Sequence, residues 1–310
     1  MQAKRAELLF SYDARMSNPN GDPEENRPRI DRQTGKNLVT DFRLKRTIRD
    51  YLDKVEGEKI FMKQELVSPK SNVIKTIDDL AEPYITGSDK NRMINQDKLV
   101  GDHIDIRLFG LLFTVTGIHF KKIGAVQFAI GQSLNKVTEI PIRLVRVVPT
   151  REDVKSGGMG EKFVVRYSFI EFHGFVNDNV AKDIGLSEED VKKMLGAMWK
   201  GTNSLSTSSK YGQQSRLLIK VNYKDQGYIG DLDLRCRMED QEQVLENINQ
   251  FKLNISELLN VLEANKNIIE SVEYVGDNQL KCKNDKDGTL DEIIEEWSSK
   301  SKIKAVKIEL

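Results

Sequence analysis

Two apolar, strand-like runs, IPIRLVRVVP (140–149) and FVVRYSFIEFHGFV (163–176), stand on either side of TREDVKSGGMGEK (150–162), which is polar and glycine-rich. That arrangement reads as a long β-hairpin with its tip in solvent, and it limits the folds open to the chain. Before it come a strand-like AELLFSYDAR (6–15), a loop MSNPNGDPEENRP rich in Asn, Pro and Gly, a helix over 40–54 and an apolar AVQFAIG (125–131). After it come a helix over 187–200, where Ser187 and Asp190 form a capping-box-like start, and a strand RLLIKVNY (216–223). With inserts set aside the order is strand, helix, strand, strand, helix, strand. This is the βαββαβ pattern of a ferredoxin-like or RRM-like unit, and the predicted fold class is α+β.

The first helix opens at Thr40 or Asp41 and carries an apolar stripe of Phe42, Leu44, Ile48, Tyr51, Leu52 and Val55. Lys45, Arg46 and Arg49 share another side of it, since spacings of three and four bring side chains together, with Arg43 at the edge. Residues 56–105 read as an insertion of short apolar patches, and DIRLFGLLFTVTG (105–117) regains apolar density. Beyond residue 230 the composition changes, and a helix (about 240–265), a strand (268–275), a helix (289–299) and a strand (303–309) are expected. The expected divisions are 1–55 with 106–230, its hairpin at about 138–165; an insert at 56–105; and an acidic α+β appendage at 231–310.

Charge follows the same division. The formal net charge is zero, yet residues 1–225 hold 37 Lys+Arg against 30 Asp+Glu, and residues 226–310 hold 11 against 18. Such asymmetry points to different partners for the two parts. No apolar run is long enough to span a bilayer and the start, MQAKRAELLFSYD, has no signal-peptide core, so a cytoplasmic protein without membrane contact is expected. Cys236 and Cys282 fit reduced spectator thiols. His103, His119 and His173 are scattered, without metal-ligand spacing, and no hydrolase or zinc-protease motif is present. SGGMGEKF (156–163) lacks phosphate-loop spacing and reads as a hairpin tip. No catalytic residue, metal site or cofactor is predicted, and the RRM aromatic motif is absent.

Four ordered stretches, SNPNGDPEENRPRID (17–31), TGKNLVTDFRLKRTIRDYL (34–52), GAVQFAIGQSLNKV (124–137) and SSKYGQQSRLLIKV (208–221), together carry a resemblance. The set resembles the backbone subunit of CRISPR Cascade complexes, the seventh family of CRISPR-associated proteins, and within it the subtype I-B (Csh-two) branch. The resemblance implies an RRM-like palm, an inserted helical domain (56–105) and a β-hairpin thumb. It implies a non-catalytic subunit that polymerises with other copies of itself along CRISPR RNA, beside other Cascade subunits, and presents the guide to target DNA.

A guide of arbitrary sequence has to be gripped through phosphate and sugar. Lys45, Arg46 and Arg49, with Arg43, suit a backbone track, and Arg27, Arg29, Arg32 and Lys36 extend it. The family's use of the start of this helix matches Lys45 and Arg49 best. Gln132, Ser133, Asn135 and Lys136, and the loop Ser208, Ser209, Lys210 and Tyr211, offer donors to sugar and phosphate oxygens. In the thumb, Val148, Pro149 and Met159 are apolar groups suited to wedging against an unstacked base, or simply to hairpin packing. The rival reading is a metal-dependent RNA endonuclease like the type III relatives, using a loop aspartate, Asp22 or Asp31. A third is a protein-interaction module that never touches RNA. On the RNA reading the acidic remainder is expected to face away from the guide.

Overall fold

The computed structural model describes residues 1–87, 92–115, 117–145, 159–239 and 244–310. At its centre is strand β1 (Ala6–Ser17). Side chains of a strand alternate between faces, and here both faces are covered. Leu8, Phe10, Tyr12 and Ala14 enter one hydrophobic core, and Leu9 enters another. Around β1 run β2 (Lys36–Val39), α1 (Asp41–Lys54), β3 (Val126–Phe128), β4 (Gly131–Lys136), β5 (Glu139–Val145), β6 (Met159–Val176), α2 (Glu188–Asn203) and β7 (Gln213–Tyr223). The chain continues with α3 (Ser256–Ala264), β8 (Ile269–Gly276), α4 (Leu290–Ser301) and β9 (Ala305–Lys307).

One nine-stranded sheet has the order β9-β8-β7-β1-β6-β4-β2, with β3 and β5 also paired to β6. Strand β6 runs antiparallel to β1 from Ala6↔Val176 to Ser17↔Val165. Along its other edge it takes β3, β4 and β5 in turn. The β5–β6 pairing is the expected hairpin and extends to Val145↔Met159. Its tip, with Val148 and Pro149, lies outside the described residues.

The first core is closed by helices. Thr40 caps α1, its hydroxyl accepting from the Arg43 N–H, and Leu44, Ile48 and Leu52 of α1 pack with Val191, Met194 and Met198 of α2. Ser187 and Asp190 form the full capping box expected for α2. Phe42 and Val55 do not join the stripe, however. Phe42 is 75% exposed, because it precedes Leu44 by two residues and so points to the far side of the helix. The described residues of 56–105 hold only short elements, including helices Ile77–Ala81 and Gln96–Asp102.

The second core corrects the expectation of an appendage. Tyr167 and Phe169 of β6 and Leu217 and Ile219 of β7 are buried against Leu258, Leu259 and Leu262 of α3 and Ile293, Ile294 and Trp297 of α4. Strand β8 pairs antiparallel with β7, and β9 pairs parallel with β8. The C-terminal region therefore completes the sheet and covers its second face. Among the described residues, the helix expected over 240–265 is realised only as α3, preceded by a single turn (Ile248–Gln250) and a short strand (Leu253–Asn254). Asparagines explain the break: Asn247 Oδ1 accepts from the Asn249 N–H and Asn254 Oδ1 from the Ser256 N–H, which diverts the chain from a continuous helix.

Phe169 is fully buried and meets the Phe251 ring edge-on at 5.3 Å, across the join between sheet and C-terminal region. Phe169→Ala should lower stability by about 3–5 kcal/mol in urea denaturation while unfolding stays a single transition. Two separated transitions in the wild-type chain would show the C-terminal region folding independently.

Candidate nucleic-acid interface

The loop from β1 to β2 is fastened at both ends. Asn20 Oδ1 accepts from the backbone N–H (2.9 Å) and hydroxyl (3.0 Å) of Thr40, so the loop fixes the start of α1. The Asn18 N–H donates to Ser209 O (2.7 Å), and Lys210 Nζ donates to Asn18 O (2.6 Å). Two residues beyond Lys210, Gly212 O accepts from the Arg15 N–H, and a Cβ at Gly212 would lie 2.5 Å from Arg15 O, at a φ of +99°. On the far edge of the sheet Ser133 Oγ accepts from the Asn37 N–H (2.8 Å). The four stretches singled out in the sequence thus adjoin one another in space.

Several of their polar side chains serve the fold. Lys45 is 6% exposed, its ammonium donating to Asp41 (2.9 Å) and Gln127 (2.9 Å). Arg49 Nε donates to buried Asp105 (3.0 Å), and both cations lie over the Phe109 ring. The helix therefore does not present Lys45 and Arg49 as a solvated stripe, because Asp105 and Gln127, far along the chain, take their charges. Ser133 and Asn135 are likewise buried: Ser133 Oγ donates to Asn135 O, while Asn135 Oδ1 accepts from the Phe169 N–H and its amide donates to Tyr167 O. Arg27 pairs with Glu139 and Glu25 and lies 4.4 Å over the Phe163 ring, holding the loop to the β5–β6 hairpin.

The two loop aspartates are engaged by their own turns. Asp22 accepts from the N–H groups of Glu24, Glu25 and Arg27, and Asp31 from the Gln33 N–H and the Thr34 hydroxyl. These bonds hold both carboxyls below the ordinary range, led by the bond from Glu25 at Asp22 and from Thr34 at Asp31. Among the described residues no group of three or more His, Cys, Asp or Glu is placed to hold a metal ion, and no helix is long and apolar enough to cross a membrane.

Other cations gather around a single carboxylate, Asp50, which Arg46 takes up. Arg43, Arg46 and Lys54 from α1 and Lys210 from the loop before β7 line one groove of about 550 Å³, with the hydroxyls of Ser206 and Thr207. Arg46 is paired with Asp50, but Arg43 donates only to Thr47 Oγ1 (3.0 Å), and Lys54 has no ion-pair partner among the described residues. Burial pushes Lys210 down to about 8, and the Arg43 charge adds to the effect. Burial also lowers Arg43. At the sheet edge, Lys36 of β2 lies directly opposite Lys136 of β4, a like-charge pair that costs stability unless an anion sits there. Arg29 and exposed Arg32 and Gln132 have no side-chain partner among the described residues, and Arg29 Nε is buried unpaired. Tyr211 is 75% exposed. Ser208 accepts from Lys162, and Ser209 contributes its carbonyl. Met159 is the first residue of β6. Sequence reasoning missed Lys54 and the Ser206–Thr207 hydroxyls; the run TNSLSTSS just ahead of Lys210 was the signal that could have found them.

Residues 4–256 match the family model described as CRISPR-associated protein Cas7. The chain is 29% identical over 310 aligned residues to the CRISPR-associated protein Cas7 of Haloferax volcanii, with 89% of this chain and 88% of that one covered. In fold it is similar to a chain of a solved CRISPR RNA-guided surveillance complex, pre-nicking (TM-score 0.54, 13% identity, 96% of this chain and 100% of that one). A chain of a further CRISPR RNA-guided surveillance complex is similar at TM-score 0.52 and 14% identity, over 88% of each chain.

Asp105 is 1% exposed and accepts from Arg49 and from the N–H groups of Phe61 and Met62. Asp105→Ala leaves a part-buried guanidinium and two amides unpaired, and should cost about 3–5 kcal/mol of stability in denaturant unfolding. A loss under about 1 kcal/mol would show that Arg49 is free to turn outward.

Proposed function

The chain belongs to the CRISPR-associated protein Cas7 family, and from that premise we propose that it is a non-catalytic, guide-binding backbone subunit of a type I, subtype I-B-like, Cascade complex. Several copies polymerise along the CRISPR RNA in the cytoplasm, beside other subunits, and present the guide for pairing with target DNA. The observation that carries this reading is the groove where Arg43 and Lys210 meet without a carboxylate partner. Two half-buried cations repel each other there, and a phosphate relieves the repulsion. Contacts to phosphate carry no base information, as a subunit that accepts any guide requires.

The βαββαβ connectivity around the order β7-β1-β6-β4 supports an RRM-like palm, with residues 56–105 as its insert and the β5–β6 hairpin as its thumb. The sheet face that an RRM leaves open for stacked bases is covered here by the C-terminal region, so the track runs along loops and edges. Its residues are Arg29, Lys36, Arg43, Arg46, Lys54, Gln132, Lys136 and Lys210. Lys45, Arg49, Ser133 and Asn135 hold the track in place from beneath, and Arg27 holds the loop above it. Val148 and Met159 stand as the wedge candidates in the thumb. The turn hydrogen bonds that occupy Asp22 and Asp31 favour this scaffold over a nuclease.

Lys54→Ala and Lys136→Ala should each weaken RNA binding by a similar factor for guides of unrelated sequence. Each should also reduce the salt dependence by roughly one phosphate in fluorescence anisotropy. A loss confined to particular sequences would refute backbone gripping.

Lys210 gives a pH dependence with a definite sign. Its folded value, about 8, lies below the free value of 10.5, so the unfolded chain holds more protons between them and stability rises with pH across that window. A bound phosphate raises the value again, so binding takes up a proton and RNA affinity should fall as pH rises through about 8. Lys210→Met should flatten that fall in titrations from pH 6.5 to 9.5. An unchanged pH profile in the variant would remove Lys210 from the track.

A further inference from the structure

The groove that holds Arg43 and Lys210 is also lined by hydroxyls that the fold leaves idle. We propose that Thr207 is a phosphorylation site, and that its phosphate sits in this groove and closes it to RNA. The closure rests on the RNA-binding reading; the seat of the phosphate does not.

Most hydroxyls around the end of α2 already have work in the fold. Thr202 donates to Met198 O (2.8 Å), Ser204 to Lys200 O (2.7 Å), and Ser208 Oγ accepts from Lys162 (3.3 Å). Ser206 and Thr207 are exposed, line the groove, and have no side-chain hydrogen bond among the described residues. The turn singles out Thr207. Its carbonyl accepts from the N–H groups of Lys210 (3.0 Å) and Tyr211 (2.9 Å), which closes one helical turn. Side chains three residues apart on such a turn share a side, so Thr207 and Lys210 are neighbours. Arg43 lines the same groove from α1.

A free hydroxyl offers a passing strand one hydrogen bond. Its phosphate ester carries a charge of about −1.5 to −2, with several strong acceptor oxygens. Tethered there, it meets Arg43 and Lys210 at an effective concentration on the order of millimolar. Neither cation has an ion pair to give up, since Arg43 donates to Thr47 and Lys210 to Asn18 O. Asp50 does not compete, because Arg46 holds it. The ester therefore satisfies the groove from within, and its remaining charge repels an approaching strand.

The modification requires a serine/threonine kinase and a nucleoside triphosphate. Thr207 Oγ1 attacks the γ-phosphorus, the bond to the β–γ bridging oxygen breaks, the nucleoside diphosphate leaves, and the hydroxyl proton passes to a base of the kinase. An exposed loop is open to such an enzyme.

The test uses the full chain phosphorylated at Thr207, prepared by genetic encoding of the phosphoamino acid. The unmodified chain and the chain phosphorylated at Ser208, which does not line the groove, are the references. Without RNA, phosphate on Thr207 should raise the melting midpoint by about 2–4 °C. That rise should vanish in Lys210→Met and shrink in Arg43→Gln. In fluorescence anisotropy, phosphate on Thr207 should weaken RNA binding about tenfold, and phosphate on Ser208 less than about threefold. Peptide mass spectrometry of the chain from its native cells should find phosphate on Thr207 in the RNA-free fraction and not in the RNA-loaded one.

No rise in melting, or a rise that survives both variants, overturns the seat. RNA binding within about twofold of the unmodified chain, or equal losses from Thr207 and Ser208, overturns the closure. If the unmodified chain binds no RNA while the melting result holds, the RNA-binding reading fails and the phosphate seat stands. Native chain without phosphate on Thr207 in either fraction, or with phosphate on Ser206 instead, removes Thr207 as the modified residue.

Discussion

Strand β1 is buried on both faces, and the rest of the architecture follows from it. A strand in that position needs a layer above and a layer below, which α1 with α2 and the C-terminal region supply. It also needs a partner for each polar side chain it carries inward. Glu7 accepts from Tyr223, from His173 (2.7 Å) and from the N–H groups of Ile229 and Gly230, bonds that together outweigh its burial and lower its pKa. Asp13 meets Arg216 and Tyr167. Ser11 donates to Glu171, which burial pushes up to about 8. These pairings cross from β1 to β6, β7 and the loop after β7, so the register of the central strands is specified by polar matching as well as by apolar alternation.

A sheet sealed on both sides leaves a ligand only its edges and the loops at its ends. That is where the unmatched groups are: Lys36 against Lys136 at one edge, and Arg43 against Lys210 beyond the end of β1. The charge division of the sequence takes on a different meaning as well. Acidic residues of the C-terminal region do not simply face away; Glu246 pairs with Arg166, Glu270 with Lys4, Glu273 with Lys220 and Asp277 with Arg216. The acidic region thus neutralises the face of the basic part that it covers, leaving a basic surplus on the loops it does not reach.

Local signals were legible in the sequence wherever the cause is local. Thr40, Ser187 and Asp190 mark helix starts because capping is a contact between residues three apart, and the hairpin from β5 to β6 is visible in its alternation and its polar tip. The fate of the α1 cations was not legible. Arg49 and Asp105 are 56 residues apart, and Lys45 and Gln127 are 82 apart, so only the folded topology brings them together. Helical spacing alone cannot tell a cation that faces water from one that faces a carboxylate on another element. The C-terminal cover was partly legible: RLLIKV, apolar with little alternation, is the pattern of a strand buried on both sides, and β7 is buried along nearly its whole length.

The same comparison separates structural from functional charge within one helix. Lys45 and Arg49 are matched by fixed internal partners, so an added phosphate would have to compete with Asp41 or Asp105 and would gain little. Arg43 and Lys210 form no ion pair and hydrogen-bond only to neutral oxygens, Asp50 nearby being paired with Arg46, and burial lowers the affinity of Lys210 for its own proton. A fold selected for stability alone would place a carboxylate between them, as it does at Arg216, where Asp13 and Asp277 flank the guanidinium. Keeping the pair without an ion-pair partner sacrifices stability in the free chain, a cost that the proposed phosphate contact would offset.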